Sequence, residues 1–138
     1  MTVKEYLSQA YRIDQRINSK LEQVASLNEL AIKATSAMID MPGSPNCNIH
    51  KIEDIIVKIL DLQREIQEDA NELLNLKQVI RRCIKQVEDP ECQIILEERY
   101  LRMVKWEQIA TTLNMSMRKV FRLHDETLKK IVIPESWQ

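Results

Sequence analysis

Two long runs of apolar residues, spaced alternately four and three apart, occupy the first two thirds of the chain and leave few folds open to it. The first passes from Tyr6 through Ala10, Ile13, Ile17, Lys20, Val24, Leu27, Ala31 and Ala34 to Met38. The second takes in Ile52, Ile55, Ile59, Leu62, Ile66, Asp69, Leu73, Leu76, Ile80, Cys83 and Val87. A repeat of this kind, held over many turns, draws one apolar stripe along an α-helix and makes a coiled-coil seam. Between the runs lies "MPGSPNCN", Met41 to Asn48, whose Pro42, Gly43 and Pro45 stop the first helix. Asn48 or a neighbour can start the second. So short a connection folds the two helices back on each other as an antiparallel hairpin, each arm roughly 55 Å long at about 1.5 Å per residue.

Pairing residues about the loop sets Ala34 near Ile55, Leu27 near Leu62, Ile13 near Leu76 and Tyr6 near Cys83. The same arithmetic puts Lys20 opposite Asp69, the two charged residues of the seams. A charge in an apolar seam is costly unless paired, and a pair there fixes register more than it adds stability. A Lys20 to Asp69 contact is therefore expected to define the hairpin; the alternative is two surface side chains snorkelling beside Leu21 and Ala70. Leu7, Leu30, Ile32, Ile56, Leu74 and Ile84 lie off the seams, and two helices cannot bury this further stripe. Either the C-terminal part of the same chain covers it or a second copy does, in a four-helix bundle, and a homodimer is the favoured outcome.

Composition bears on the class of the rest. With one Gly, four Pro and only 4% aromatic residues, the 138-residue chain lacks the turn formers and aromatics of a strand-rich protein. No apolar run approaches the roughly 18 residues that cross a bilayer, and the N-terminus has no basic region followed by an apolar core, so a cytoplasmic protein is expected. Cys47, Cys83 and Cys92, odd in number and far apart, suit reduced thiols.

After the second run, Asp89 and Pro90 read as a helix N-cap and a first-turn proline. "ECQIILEERYL" then gives a short amphipathic helix using Ile94, Ile95, Tyr100 and Leu101, and "RMVK" a turn. Next comes "WEQIATTLNMSMRKVFRL", which has the packing pattern of a helix-turn-helix. Trp106 to Leu113 is the supporting helix, Asn114 and Met115 the turn, and Ser116 to about Lys130 the recognition helix. Small Ala110 stands where the helices cross, Asn114 tolerates a left-handed backbone, and Ile109, Leu113, Met115, Val120 and Leu123 supply the contacts between helices. Ser116 is placed as the N-cap of the second helix.

Those residues carry a resemblance. "IILEERYLRMVKWEQIATTLNMSMRKVFRLHDETLKKI", Ile94 to Ile131, resembles the region 4 helix-turn-helix of bacterial primary-type sigma factors. Together with "KEYLSQAYRIDQRINSKLEQVASL", the whole chain is similar to short sigma-region-4-like proteins of Gram-positive prophages and integrative elements, relatives of phage late-gene transcription regulators. With the hairpin read from the spacing, the resemblance completes an all-α fold: a long antiparallel coiled-coil hairpin over 1–88 for dimerisation, a three-helix domain over 89–133 and a tail over 134–138. It also implies a mobile-element regulator that binds double-stranded DNA, with host RNA polymerase a further partner. Three departures stand out. Lys105 replaces the usual Ser or Thr N-cap, at a cost of about 1 kcal/mol unless Gln108 folds back to cap. Asn114 replaces Gly. Met117 and Phe121 stand at positions that are commonly polar.

Helical geometry points Met117, Arg118, Phe121 and Arg122 away from the Val120 and Leu123 face, as candidates for base contacts in the major groove. Lys119, Lys129, Lys130 and the Ser116 hydroxyl suit phosphates. A net charge of -1 does not exclude a polyanion, because it is unevenly spread. Residues 1–89 hold twelve basic and fourteen acidic side chains, whereas residues 116–130 hold five basic and two acidic, a balance of +3. The bland alternative is solvated charge on an ordinary three-helix domain. A rival from another class is a protein-interaction adaptor docking through Met117 and Phe121 on RNA polymerase or a host defence factor.

Little suggests an enzyme, a cofactor or a metal. Cys47 and His50 make a lone Cys-x-x-His with no second pair. His124, beside Asp125, has no Ser or Cys partner for a catalytic relay and is expected to be solvated. The tail "IVIPESWQ", with Ile131, Ile133 and Trp137 around Pro134, is more apolar than a free end, which suggests packing on its own domain or docking on a partner.

Overall fold

The computed structural model describes residues 2–40 and 45–132, with side chains given through residue 37 and again from residue 49. Met38, the Pro42 and Gly43 breaker, Cys47 and the tail from Ile133 lie outside the described side chains. The chain is all-helical, with no strand among the described residues. Two long helices, α1 (Val3–Asp40) and α2 (Pro45–Lys85), precede three short ones, α3 (Pro90–Leu96), α4 (Trp106–Leu113) and α5 (Met117–Lys130). Among the described residues no helix is long and apolar enough to cross a membrane.

Two compact units emerge, one from Asp14 to Asn71 and the other from Met1–Ile13 together with Glu72–Gln138. In the first unit the four-three spacing decides what is covered. Ile17, Lys20, Val24, Leu27, Ala31 and Ala34 on α1 are all partly buried, as are Ile52, Ile55, Ile59, Leu62 and Ile66 on α2, while the residues between them are mostly exposed. Lys20 Nζ lies 2.7 Å from Asp69 Oδ2, and Arg16 reaches Asp69 Oδ1 at 3.2 Å. Asp69 is only 8% exposed. The two cations beside it hold its carboxyl below the usual range, the Lys20 hydrogen bond first, against a burial that raises it. Lys20 and Asp69 are thus not two surface side chains snorkelling beside Leu21 and Ala70.

The second unit brings the start of α1 and the end of α2 together with the three short helices. Tyr6, Leu7 and Ala10 of α1 and Ile80, Cys83 and Ile84 of α2 form one core with Leu96, Tyr100 and Ile131. The reason is the off-seam pair Leu7 and Ile84: each is 1% exposed or less, because the C-terminal segment covers them. Burying an aliphatic side chain stabilises by roughly 1.5–3 kcal/mol, which favours this closure over leaving two such residues in water. The other off-seam residues, Leu30, Ile32, Ile56 and Leu74, remain exposed.

Asp89 caps α3, its Oδ1 accepting from the Glu91 N–H at 2.9 Å, with Pro90 at the first helical position. Ile94 is 39% exposed, whereas Cys92, Ile95 and Leu96 are buried, so the inward face of α3 is turned from the one read in the sequence. Glu97–Leu101, which follows α3, is a π-helical turn, and its wider spacing sets Tyr100, five residues after Ile95, on the buried side as well. The segment ends at Met103, left-handed at φ 58°, and the Val104 N–H returns to the Glu98 carbonyl at 2.9 Å.

Candidate functional site

The α4–α5 pair is set by its turn. Asn114 adopts φ 58° and ψ 41°, a conformation that costs about 1–2 kcal/mol for most residues and that Asn enters more readily than others. Ala110 is buried at the crossing, and its carbonyl accepts from the Met115 N–H at 2.9 Å. Ile109 and Val120 are buried beside Ile95, and Leu113, Met115 and Leu123 pack partly buried around them. Lys105 has the extended backbone of an N-cap but no side-chain cap bond, and Gln108 does not supply one. Ser116 does cap α5, its Oγ accepting from the Lys119 N–H at 3.1 Å.

The charged face of α5 is open. Arg118, Lys119, Arg122, Lys129 and Lys130 are exposed. Among the described residues none of the five has a carboxylate within ion-pair distance. Ser116, Arg118, Lys119 and Arg122 share one shallow hollow at the start of the helix, where unpaired backbone N–H groups add partial positive charge.

The four residues read as base contacts do not stay together. Arg118 and Arg122 face solvent, but Met117 packs partly buried against the Ile95, Ile109, Ala110 and Val120 core. Phe121, 39% exposed, meets the Trp106 ring edge-on with centroids 5.1 Å apart. Both thus flank the buried stripe of α5 rather than its charged face. Their apolar character, puzzling at groove-facing positions, has a packing cause.

His124 is not solvated. It is 2% exposed, its Nε2 is 2.6 Å from the Tyr100 hydroxyl and its Nδ1 is 3.1 Å from Asp125 Oδ1. A carboxylate only accepts, so Nδ1 carries the proton and Nε2 receives the Tyr100 O–H. Burial lowers the imidazole from its ordinary pKa, more than the Asp125 hydrogen bond raises it, and Lys4 and Arg99 push it the same way as burial. Burial also pushes the Tyr100 hydroxyl up to about 12, so it keeps the proton it donates. The Trp106 ring lies edge-on to His124 at 4.8 Å, and the Arg99 guanidinium sits 4.7 Å over Trp106 while donating to the Val104 carbonyl at 3.1 Å. This cluster joins the π-turn, α4 and α5. One signal for it was present in the sequence: His124 follows Val120 by four and precedes Thr127 by three, on the buried stripe.

Among the described residues no three His, Cys, Asp or Glu side chains come together as metal ligands. Cys83 and Cys92 are buried free thiols, and burial raises the Cys83 thiol. His50 meets Glu53 at 3.6 Å on an exposed turn of α2.

Comparison with curated proteins and with solved structures finds no match to this chain. One family model does match, over residues 34–131, a span that takes in all of α2 and the three short helices. The chain therefore belongs to the family described as protein of unknown function (DUF1492).

Proposed function

We propose that the protein is a sequence-specific DNA-binding transcription regulator of phage or mobile-element type, acting in the cytoplasm as a dimer and performing no catalysis. In this reading α4 and α5 form a helix-turn-helix of the sigma region 4 kind, and α5 enters the major groove. The α1–α2 pair is an antiparallel coiled-coil hairpin that serves assembly. The observation that carries the reading is the set of five exposed cations on α5, none of which has a carboxylate within ion-pair distance among the described residues, next to the tight Asn114 turn. Arg118 and Arg122 have the guanidinium fork that pairs bidentately with guanine, while Lys119, Lys129, Lys130 and Ser116 bind phosphates. Met117 fixes the pose of α5 from below, and the exposed edge of Phe121 suits a thymine methyl.

The test is binding to the DNA upstream of the protein's own gene, followed by fluorescence anisotropy over a salt series. The wild type is expected to bind with steep salt dependence, and the Arg118→Ala, Arg122→Ala double variant to lose at least tenfold in affinity at unchanged helicity. Salt-independent or absent binding, or a double variant that binds as tightly as the wild type, sinks the DNA reading. The exposure of Phe121 favours one rival, docking on a protein such as RNA polymerase. That rival requires Phe121→Ala to abolish a polymerase interaction while the arginine variants leave it intact.

A further inference from the structure

In the unit from Asp14 to Asn71, the two flanks of the paired helices differ in chemistry. A groove along one flank is lined from α1 by Ser19, Gln23 and Ser26 and from α2 by Lys58, Asp61 and Glu65. Each of these six lies one residue before a seam position. The residues one before the seams thus share a side, as they must in an antiparallel pair, and those one after the seams share the other. The first side is charged, with Arg16, Lys33, Lys58, Asp61 and Glu65 along it. The second, between residues 18 and 35 of α1 and 56 and 70 of α2, bears no charge at all in a chain that is 30% charged. Its apolar members are open: Leu21 is 50% exposed, Ile32 66%, Ile56 46% and Leu60 58%.

We propose that this uncharged flank is a self-association face, and that its occupant is the same flank of a second copy. The assignment rests on the paired regulator proposed above but not on its DNA contact. Three observations select the occupant. Nucleic acid and anionic membrane surfaces are bound through lysine and arginine, and the flank has neither. A charged protein partner finds nothing to pair with. A second copy, by contrast, meets no like charge, and apart from Thr35, whose hydroxyl donates to the Ala31 carbonyl, the flank's polar members, Asn18, Asn28, Gln63 and Gln67, are amides. An amide is both donor and acceptor, so it satisfies its own kind across a two-fold axis, as an isologous interface requires. Asp14 and Glu53 bound the flank at its two ends and mark where the contact stops.

Sedimentation of the full chain without DNA tests the assignment. The wild type is expected to run as a dimer, and Leu21→Glu, Leu60→Glu as a monomer of unchanged helicity. Gln23→Glu, Ser26→Glu, on the charged flank, stays dimeric. Leu21→Lys, Leu60→Lys is likewise monomeric, and mixing the Glu and Lys variants restores the dimer mass, which a misfolded variant cannot do. A wild type that stays monomeric at every concentration, a Glu variant that still dimerises, or a mixture that fails to recover overturns the proposal. With no DNA present, such a failure leaves Arg118 and Arg122 unjudged, and failure of DNA binding leaves this dimer standing.

Discussion

His124 carries a consequence for pH. Its folded pKa is depressed by burial, so the native state binds the proton less readily than the unfolded chain does. Between the folded value and the ordinary 6.5 the unfolded state holds more protons, and stability rises with pH. The stabilisation is complete above about 6.5 and is lost as pH falls below it. Asp69 acts in a separate, more acidic window: its lowered pKa gives stability above about 3.8 that is lost as pH falls through the folded value. Calorimetry at pH 7 and pH 5 is expected to show a fall in melting temperature for the wild type. His124→Gln, whose amide can still accept from Tyr100 and donate to Asp125, should lack that fall. An equal fall in both proteins would assign the titration elsewhere. The polarity of His124 beside Asp125 points to solvent, yet its place on the three-four stripe of α5, between Val120 and Thr127, points to the core, and the stripe prevails. Met103 is different. A left-handed methionine leaves no mark in a sequence, since its backbone is dictated by the π-turn before it.

At the level of the helices, caps and ion pairs give graded expectations. Lys105→Ser would place a hydroxyl at an N-cap that already has extended backbone, with Gln108 three residues on to complete a capping box. Urea denaturation should show a gain of about 1 kcal/mol. Ser116→Ala removes the bond to Lys119 and should cost about 1 kcal/mol. In the long pair, Arg16 is half exposed, and Arg16→Ala should cost less than about 1 kcal/mol, the range of a surface pair. Asp69→Ala leaves Lys20 facing an apolar seam with a partial route to water, and about 2 kcal/mol is expected, between surface and buried values. If both substitutions cost the same, burial does not govern this cluster. The end of α4, the start of α5 and the seams of α1 and α2 were legible because single signals act there: a turn Asn, a cap Ser and a four-three spacing. The inward face of α3 was not, because it depends on which distant core residues the helix meets, Leu96 packing with Tyr100 and Ile131.

Across the whole molecule, charge and association bear on the same measurement. If α5 binds DNA as proposed, three to five phosphate contacts per copy, drawn from Lys119, Lys129, Lys130 and the two arginines, give a log-log salt slope of about -2.7 to -4.5 at roughly -0.9 per contact. A dimer engaging two half-sites doubles that slope, because both α5 helices release counterions in one event. The acidic balance of residues 1–89 contributes little at physiological salt, where the screening length is about 8 Å and only nearby phosphates count. The Leu21→Glu, Leu60→Glu variant then separates two origins of weak binding. If dimerisation supplies the affinity, its slope on the same DNA should be half that of the wild type, with every α5 residue unchanged. Should the slope stay the same while affinity drops, the flank acts on folding and not on how many helices reach the DNA. A slope near zero in the wild type would remove α5 from phosphates altogether, and leave the exposed edge of Phe121 as the feature of that helix still to be explained.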